Sequence, residues 1–284
     1  HLAEYGSRYD LVFLFRPMAI EKHLDRVRRQ CPKAKVLYHT IDLHYLRMMR
    51  EVALSDSSAR LQAAEQMKRR ELKMLAAADA SIVHSSAELD ILRAEVPSAR
   101  IHVFPLVLNI RGTKRGFQDR AGIMFVGGYQ HAPNVDAVLY FVQEVMPLVR
   151  QRLPGVRFHA VGSKTPPEIL ALATEDVVIM GFVEDLGAVM DGMRVAVAPL
   201  RYGAGIKGKI GSAMANGLPS IATPLAAEGM HLEDGSNVLV ADGPAAIADA
   251  LFRLYGDEDL WNHLSQKGLR FADQAWGAAA AAHI

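Results

Sequence analysis

The sequence predicts an α/β protein of two domains, each built on a parallel sheet. Three observations carry this. Apolar runs alternate with amphipathic stretches almost from end to end, the pattern of βαβ units. The alternation breaks at Asn109-Ile110-Arg111-Gly112-Thr113-Lys114-Arg115-Gly116, a polar, glycine-bearing segment with no apolar period, which reads as a linker. Glycines and basic residues collect just past the carboxyl ends of two predicted strands, where ligands bind in such sheets.

In the first half, Leu11–Phe15 reads as a strand, residues 18–30 as a helix with Arg and Lys on its outer face, and Lys35–His39 as a second strand. A polar loop and a long charged helix over residues 57–77 follow. Residues 80–84 make a strand, 87–95 a helix, and 101–104 a strand closed by Pro105. In the second half the predicted strands are residues 122–126, 157–161, 177–180, 195–199, 220–223 and 237–240. Helices are expected between them at 135–150, 168–173, 186–193, 209–216 and 245–255, and residues 259–272 form a last helix that 278–282 could extend. This gives a first domain over 1–108, a linker over 109–116, a second domain over 117–258 and a terminal segment over 259–284.

Composition narrows the class. The 284 residues suffice for two cores. Half are hydrophobic and 22% charged, ordinary for a soluble α/β protein. A formal net charge of +1 argues against a general nucleic-acid binder. The single cysteine, Cys31, excludes an internal disulfide framework and fits a reducing, cytoplasmic compartment. No apolar run approaches the roughly 20 residues that span a membrane, and no secretory leader pattern opens the chain. The first residue is His1 rather than Met, which reads as a piece of something longer. Arg26, Arg28 and Arg29 make a basic face that suits either an inner membrane surface or water; a solvated face is the commoner case.

The most informative stretch runs from Pro199 to Thr223, reading as strand end, glycine-rich loop, short helix and strand. Its basic residues, Lys207 and Lys209, sit at the start of the helix. A helix N-terminus carries partial positive charge and favours anions, so lysines there help only when something anionic docks. Backbone N–H groups at the helix start, beside glycines such as Gly205 that allow close approach, make a phosphate site. Arg201, just past the strand, could grip phosphate bidentately; the structural alternative is a surface ion pair. Gly127 and Gly128 follow another strand on the same sheet edge and could present backbone N–H groups to a ligand, or simply make a tight turn. Asn134 reads as the cap of a helix starting at Val135.

That loop, with Phe125-Val126-Gly127-Gly128, Asn134-Val135-Asp136-Ala137-Val138, Val161-Gly162, Gly181-Phe182-Val183 and Ala227-Glu228-Gly229-Met230, resembles the family-4 (group 1) retaining glycosyltransferases of GT-B fold. The likeness is strongest to glycosyltransferase domains of bacterial enzymes that build O-antigen and other surface polysaccharides. It is close from Gly122 to about Tyr255 and looser before Asn109. The resemblance implies two Rossmann-like domains facing across a cleft, the second binding a nucleotide sugar and the first a glycan or lipid-linked glycan acceptor. The last helix would pack back toward the first domain. It implies that Lys209 meets the donor diphosphate, with Gly127, Gly128, Arg201, Gly205, Lys207, Ser212 and Gly229 around it. Glu228 would accept hydrogen bonds from the sugar hydroxyls. Asp42, His44 and Arg47, past the end of Lys35–His39, look like the acceptor-side cluster, with His44 orienting the acceptor hydroxyl.

The chain departs from the family pattern in two places. The first half is short by about two βα units. Where many members carry two glutamates eight positions apart, this chain has Ala204 and Ser212. The implied activity is sugar transfer with retention at the anomeric carbon. No metal or other cofactor is expected: no Asp-x-Asp motif ends a strand, and the histidines form no zinc pattern. Two other readings compete. A nucleotide-sugar epimerase would need paired carboxylates in the cleft, and only Glu228 is placed for that. A catalytically weak binding or scaffold module within a larger protein is favoured by the short first half, Ala204 and Ser212. A dehydrogenase is not supported, since no Gly-x-Gly-x-x-Gly opens either half.

Overall fold

The computed structural model describes residues 1–54 and 57–281. The chain divides into two compact units. One comprises His1–Pro105 and Tyr202–Ile206, the other Leu106–Arg201 and the chain from Lys207 onwards. Both are α/β with a wholly parallel sheet, the GT-B class of fold.

The first unit's described strands are β1 (Leu11–Phe15), β2 (Lys35–His39), β3 (Ala80–Val83) and β4 (Ile101–Val103), hydrogen-bonded in chain order. Helix Arg16–Gln30 follows β1 and carries Pro17 in its first turn, where proline's missing N–H costs nothing. Its buried Ile20 and Val27 meet Val36, Tyr38 and Val83 of the sheet in one core with Leu75 and Leu92. The segment after β2, expected as a polar loop, instead forms helix His44–Val52. Tyr45 is its buried anchor, and the periodicity was masked by Arg47, Met48 and Arg50 on its partly exposed faces. Helix Ser58–Ala77 is capped by the Ser57 hydroxyl, which accepts the N–H of Arg60.

The second unit has β5 (Ile123–Val126), β6 (Phe158–Val161), β7 (Val177–Gly181), β8 (Val195–Ala198), β9 (Ser220–Ala222) and β10 (Leu239–Val240), in the order β10-β9-β8-β5-β6-β7. The chain moves outward from β5 to β7, then returns to lay β8 on the other side of β5. The β5/β8 pair is therefore the topological switch point, where the loops leaving the two strands diverge and open a crevice.

The helix expected over 135–150 begins earlier and is interrupted. It runs Ala132–Tyr140, passes through a π-turn over Phe141–Val145, and resumes as Met146–Arg152. Pro147, without an N–H, sits in the first turn of the resumed segment. Segment 109–116 is held within the second unit: Gly112 N–H donates to the Ala215 carbonyl at 3.0 Å, and Arg120 reaches Thr113 and the carbonyl of Arg115. Helix Glu258–Trp276 packs on Gly208–Ala215 through Gly268, Trp276 and other buried residues of one face. The indole of Trp261 donates to the Arg194 carbonyl at 2.7 Å. A short helix, Ala278–Ala281, follows; Ala282, expected to extend it, lies outside the described residues.

Candidate active site

At the switch point β5 delivers Gly127 and Gly128, and β8 leads into the loop before helix Gly208–Ala215. The structure brings the glycine pair and Lys209 together through Asn134. The Asn134 Oδ1 accepts a hydrogen bond from Lys209 Nζ at 2.6 Å, and its Nδ2 donates to the Gly128 carbonyl at 2.8 Å. The ammonium lies 4.4 Å from the centre of the Phe125 ring, within cation–π range. Burial pushes the pKa of Lys209 down to about 7, and the charge of Lys207 acts in the same direction.

The expected capping role of Asn134 is corrected here. The helix begins at Ala132 with His131 at its cap position and no side-chain cap bond. Asn134 therefore sits inside the first turn, with its amide turned toward the glycine loop. Pro133 was the available signal, because proline is favoured at the first helical positions and moves the start upstream of Val135. Gly127 is needed for this arrangement: a Cβ there would lie 2.6 Å from the Asn134 Cγ.

Arg201 is placed on the same edge, but its guanidinium fork is engaged. It binds both carboxylate oxygens of Asp136, Nε to Oδ2 at 3.0 Å and Nη2 to Oδ1, and its charge lies 5.0 Å from the Tyr140 ring centre. Asp136 was not anticipated, because nothing local in the sequence ties it to a residue 65 positions on. Lys207 is the cap residue of Gly208–Ala215 and is only 7% exposed. The N–H of Ile210 closes the first turn on the Lys207 carbonyl at 2.9 Å, and the start of such a helix is the general location for an anion site. Ser212 stands one turn further on, partly exposed, its carbonyl accepting from Asn216 Nδ2 at 2.8 Å.

Thr223 fixes the third loop of this edge. Its hydroxyl donates to the Leu200 carbonyl at 2.6 Å and accepts the N–H of Ala226 at 3.2 Å. One side chain thus ties the end of β8 to the short helix Pro224–Ala227, whose last turn presents Glu228 and Gly229. Gly229 has φ +70°, a conformation that favours glycine.

Within the first unit, Asp42, His44 and Arg47 form one cluster. The Asp42 carboxylate accepts from Arg47 and lies 3.5 Å from His44 Nε2. Burial holds the His44 pKa below the usual histidine value; Asp42 opposes this, and Arg47 and Arg16 reinforce it. The imidazole is accordingly neutral at pH 7.

Two buried carboxylates that the sequence did not single out build this cluster. Glu71 caps helix His44–Val52, accepting the N–H groups of His44 at 3.1 Å and Tyr45 at 2.7 Å. Burial raises its pKa to about 7 against those two bonds. Glu88 Oε1 accepts the N–H of Leu43 at 3.0 Å and of Gly205 at 2.8 Å. Gly205, expected among donor-site residues, is thus anchored beside Asp42, and its φ of +66° and a Cβ clearance of 3.0 Å to the Asp42 Cβ require glycine. Ile41 is held at φ +69°, a costly conformation for a β-branched residue.

Among the described residues, no group of three or more His, Cys, Asp or Glu side chains is arranged to hold a metal ion. Nor, among these residues, is any helix long and apolar enough to cross a membrane.

Comparison with known proteins bears on the fold. Residues 120–257 match the family model of glycosyl transferases group 1. Among curated proteins, none matches the chain by sequence. The fold is similar to that of TarM (TM-score 0.79, 14% identity), with 99% of this chain covering 56% of that one. It is similar also to sucrose-phosphate synthase from Thermosynechococcus elongatus (TM-score 0.76, 17% identity, 99% of this chain and 73% of that one). A third similar structure is HepE of Anabaena in complex with UDP and glucose (TM-score 0.69, 14% identity, 99% and 79%). The chain thus spans little more than half the length of TarM. Its switch-point crevice is formed by residues 120–257, the segment that matches the group 1 glycosyl transferase model, and the chain has the GT-B class of fold.

Proposed function

We propose that this chain binds a nucleoside-diphosphate sugar at the β5/β8 crevice and transfers the sugar, with retention, to a glycan acceptor of the bacterial surface-polysaccharide type. The observation that carries this is the Lys209 ammonium, fixed by Asn134 at the start of helix Gly208–Ala215 and directly beside the glycine loop. A held cation and the positive end of a helix suit a leaving diphosphate, whose charge grows as the glycosidic bond breaks. Interactions that strengthen as charge develops lower the barrier. A metal is not needed in this scheme, since Lys209 and the helix terminus supply the positive charge. The bound UDP and glucose of the HepE structure support a nucleotide-sugar donor.

In this reading Glu228, with Gly229 behind it, accepts hydrogen bonds from the sugar hydroxyls. Gly127, Gly128, Lys207 and Ser212 line the donor, and Arg201 contributes once its fork leaves Asp136. Gly205 carries the loop to the helix. Asp42, His44 and Arg47 serve the acceptor, the neutral imidazole orienting its hydroxyl. Retention proceeds on one sugar face: the C1–O bond to phosphate breaks as the acceptor oxygen bonds C1, and the leaving phosphate takes the acceptor's proton.

Calorimetric titration with UDP, GDP, CDP and dTDP tests the donor site. One nucleotide should bind with micromolar affinity, weakened about tenfold or more in Lys209→Ala. Failure of a folded protein to bind any of them would overturn the reading. The engaged fork of Arg201 and the presence of Ala204 and Ser212 favour a second reading, a binding module without turnover. Measurable release of UDP from the sugar donor in the presence of acceptor glycan would remove that second reading.

A further inference from the structure

We infer that Asn134 is a positioning residue of the donor site: its amide orients the Lys209 ammonium and the Gly127–Gly128 loop as one unit against the donor's diphosphate. This rests on the reading of the crevice as a nucleotide-sugar site.

The side chain is nearly buried, at 7% exposure, and both ends of the amide are used. Oδ1 faces Lys209 at 2.6 Å and Nδ2 faces the Gly128 carbonyl at 2.8 Å. The assignment of the amide is fixed by chemistry, because an ammonium only donates and a carbonyl only accepts. The surroundings are shaped for it. Gly127 leaves the space its amide fills, and Gly162 leaves space for the Gly127 carbonyl, which a Cβ at 162 would strike. Phe125 lies beside the ammonium on another side. A helix cap would have used one oxygen; this amide instead couples a loop to a cation. Neutrality matters as well. A carboxylate at 134 would neutralise Lys209 and repel the diphosphate, whereas an amide holds the lysine without spending its charge.

Two measurements on wild type, Asn134→Ala and the isosteric Asn134→Asp test this. The first follows the titration of Lys209 by the 13C shift of its Cε, assigned with Lys209→Met. Asn134→Ala should lower the midpoint, because an acceptor of the charged form is lost. Asn134→Asp should raise it by about one unit or more, because an anion replaces a dipole. A midpoint unmoved in both variants overturns the coupling, whether or not any nucleotide binds. The second is a double-mutant cycle read by affinity for whichever of UDP, GDP, CDP and dTDP wild type binds. Asn134→Ala should weaken binding about tenfold in the wild-type background and have little effect in Lys209→Met. Equal losses in both backgrounds would mean that Asn134 only supports the fold, and would overturn the proposal. Should wild type bind none of UDP, GDP, CDP and dTDP while the titration still shifts, the donor-site reading falls and the role of Asn134 toward a diphosphate falls with it. Asn134→Asp keeps the shape, so the titration stands if Asn134→Ala fails to fold.

Discussion

Glu88 and Gly205, 117 positions apart in sequence, are joined by a buried hydrogen bond of 2.8 Å from the glycine N–H to the Glu88 Oε1. The same oxygen accepts the N–H of Leu43 at 3.0 Å. One carboxylate therefore sets both the turn that carries Asp42 and the glycine loop that leads to Lys207 and Lys209. Its own position is fixed by helix Ser86–Glu95, whose cap Ser85 accepts the Glu88 N–H.

Removing that carboxylate should be expensive. Glu88→Ala leaves two backbone donors buried, at about 1–3 kcal/mol for each, so a loss of about 2–6 kcal/mol is expected in denaturant unfolding. Glu88→Gln keeps the Oε1 acceptor and should lose less than half as much. Equal losses in the two variants would show that the hydrogen bonds do not hold the loop.

Lys209 makes a pH prediction whose sign follows from its lowered pKa. Free in the folded protein it titrates near pH 7, and in the unfolded chain near 10.5. Between those values the unfolded state binds more protons, so stability rises with pH across that window. Lys209→Met should therefore stabilise the protein more at pH 7 than at pH 10. A bound diphosphate favours the ammonium, so at pH 8 UDP binding should take up a proton and weaken as the pH climbs. Calorimetry in buffers of different ionisation heat reads that proton directly, and Lys209→Met should abolish it.

The glycine loop offers a graded steric test. In Gly127→Ala the added Cβ meets a movable side chain, Asn134, at 2.6 Å. The amide should be displaced, UDP affinity reduced, and stability lowered by about 1–3 kcal/mol. In Gly162→Ala the Cβ meets the backbone carbonyl of Gly127, which cannot rotate away. The second substitution should cost more in thermal unfolding; the reverse order would refute the packing described.

Arg120 should prove structural. Its side chain is fully buried, donating to Thr113, to Asp191 at 3.2 Å and to the carbonyls of Met190 at 3.1 Å and Met193 at 3.2 Å, with its charge 5.3 Å from the Trp261 ring centre. Arg120→Ala empties the space of a fully buried side chain and removes a donor from these carbonyls, while Asp191 keeps Thr113 and Arg115, and a loss of about 2–5 kcal/mol is expected in unfolding experiments. Arg120→Lys cannot reproduce the planar fork and should recover only part of that.

Most strands were legible in the sequence, β1 and β2 to the residue, because alternation of apolar runs is a local consequence of a sheet covered on both faces. Helix His44–Val52 was not. Its N-terminus is capped by Glu71, 26 and 27 positions away in sequence, rather than by a neighbouring Ser, Thr or Asp. The continuous helix expected after β5 failed at the π-turn over Phe141–Val145, whose extra residue per turn leaves no mark in the apolar period.

The sequence by itself determined the parallel α/β class and the glycine and lysine residues that follow two strands on one sheet edge, whereas the strand order that makes β5 and β8 the switch point came from the folded sheet. The former are properties of short segments: backbone hydrogen bonding, amphipathic period and the freedom of glycine. Only the tertiary structure decided which polar groups meet. It gave Arg201 to Asp136, Gly205 to Glu88 and Lys209 to Asn134. Such pairs form because a polar group drawn into a core must find a partner there, and the folded path of the chain, not its local pattern, decides which partner is within reach.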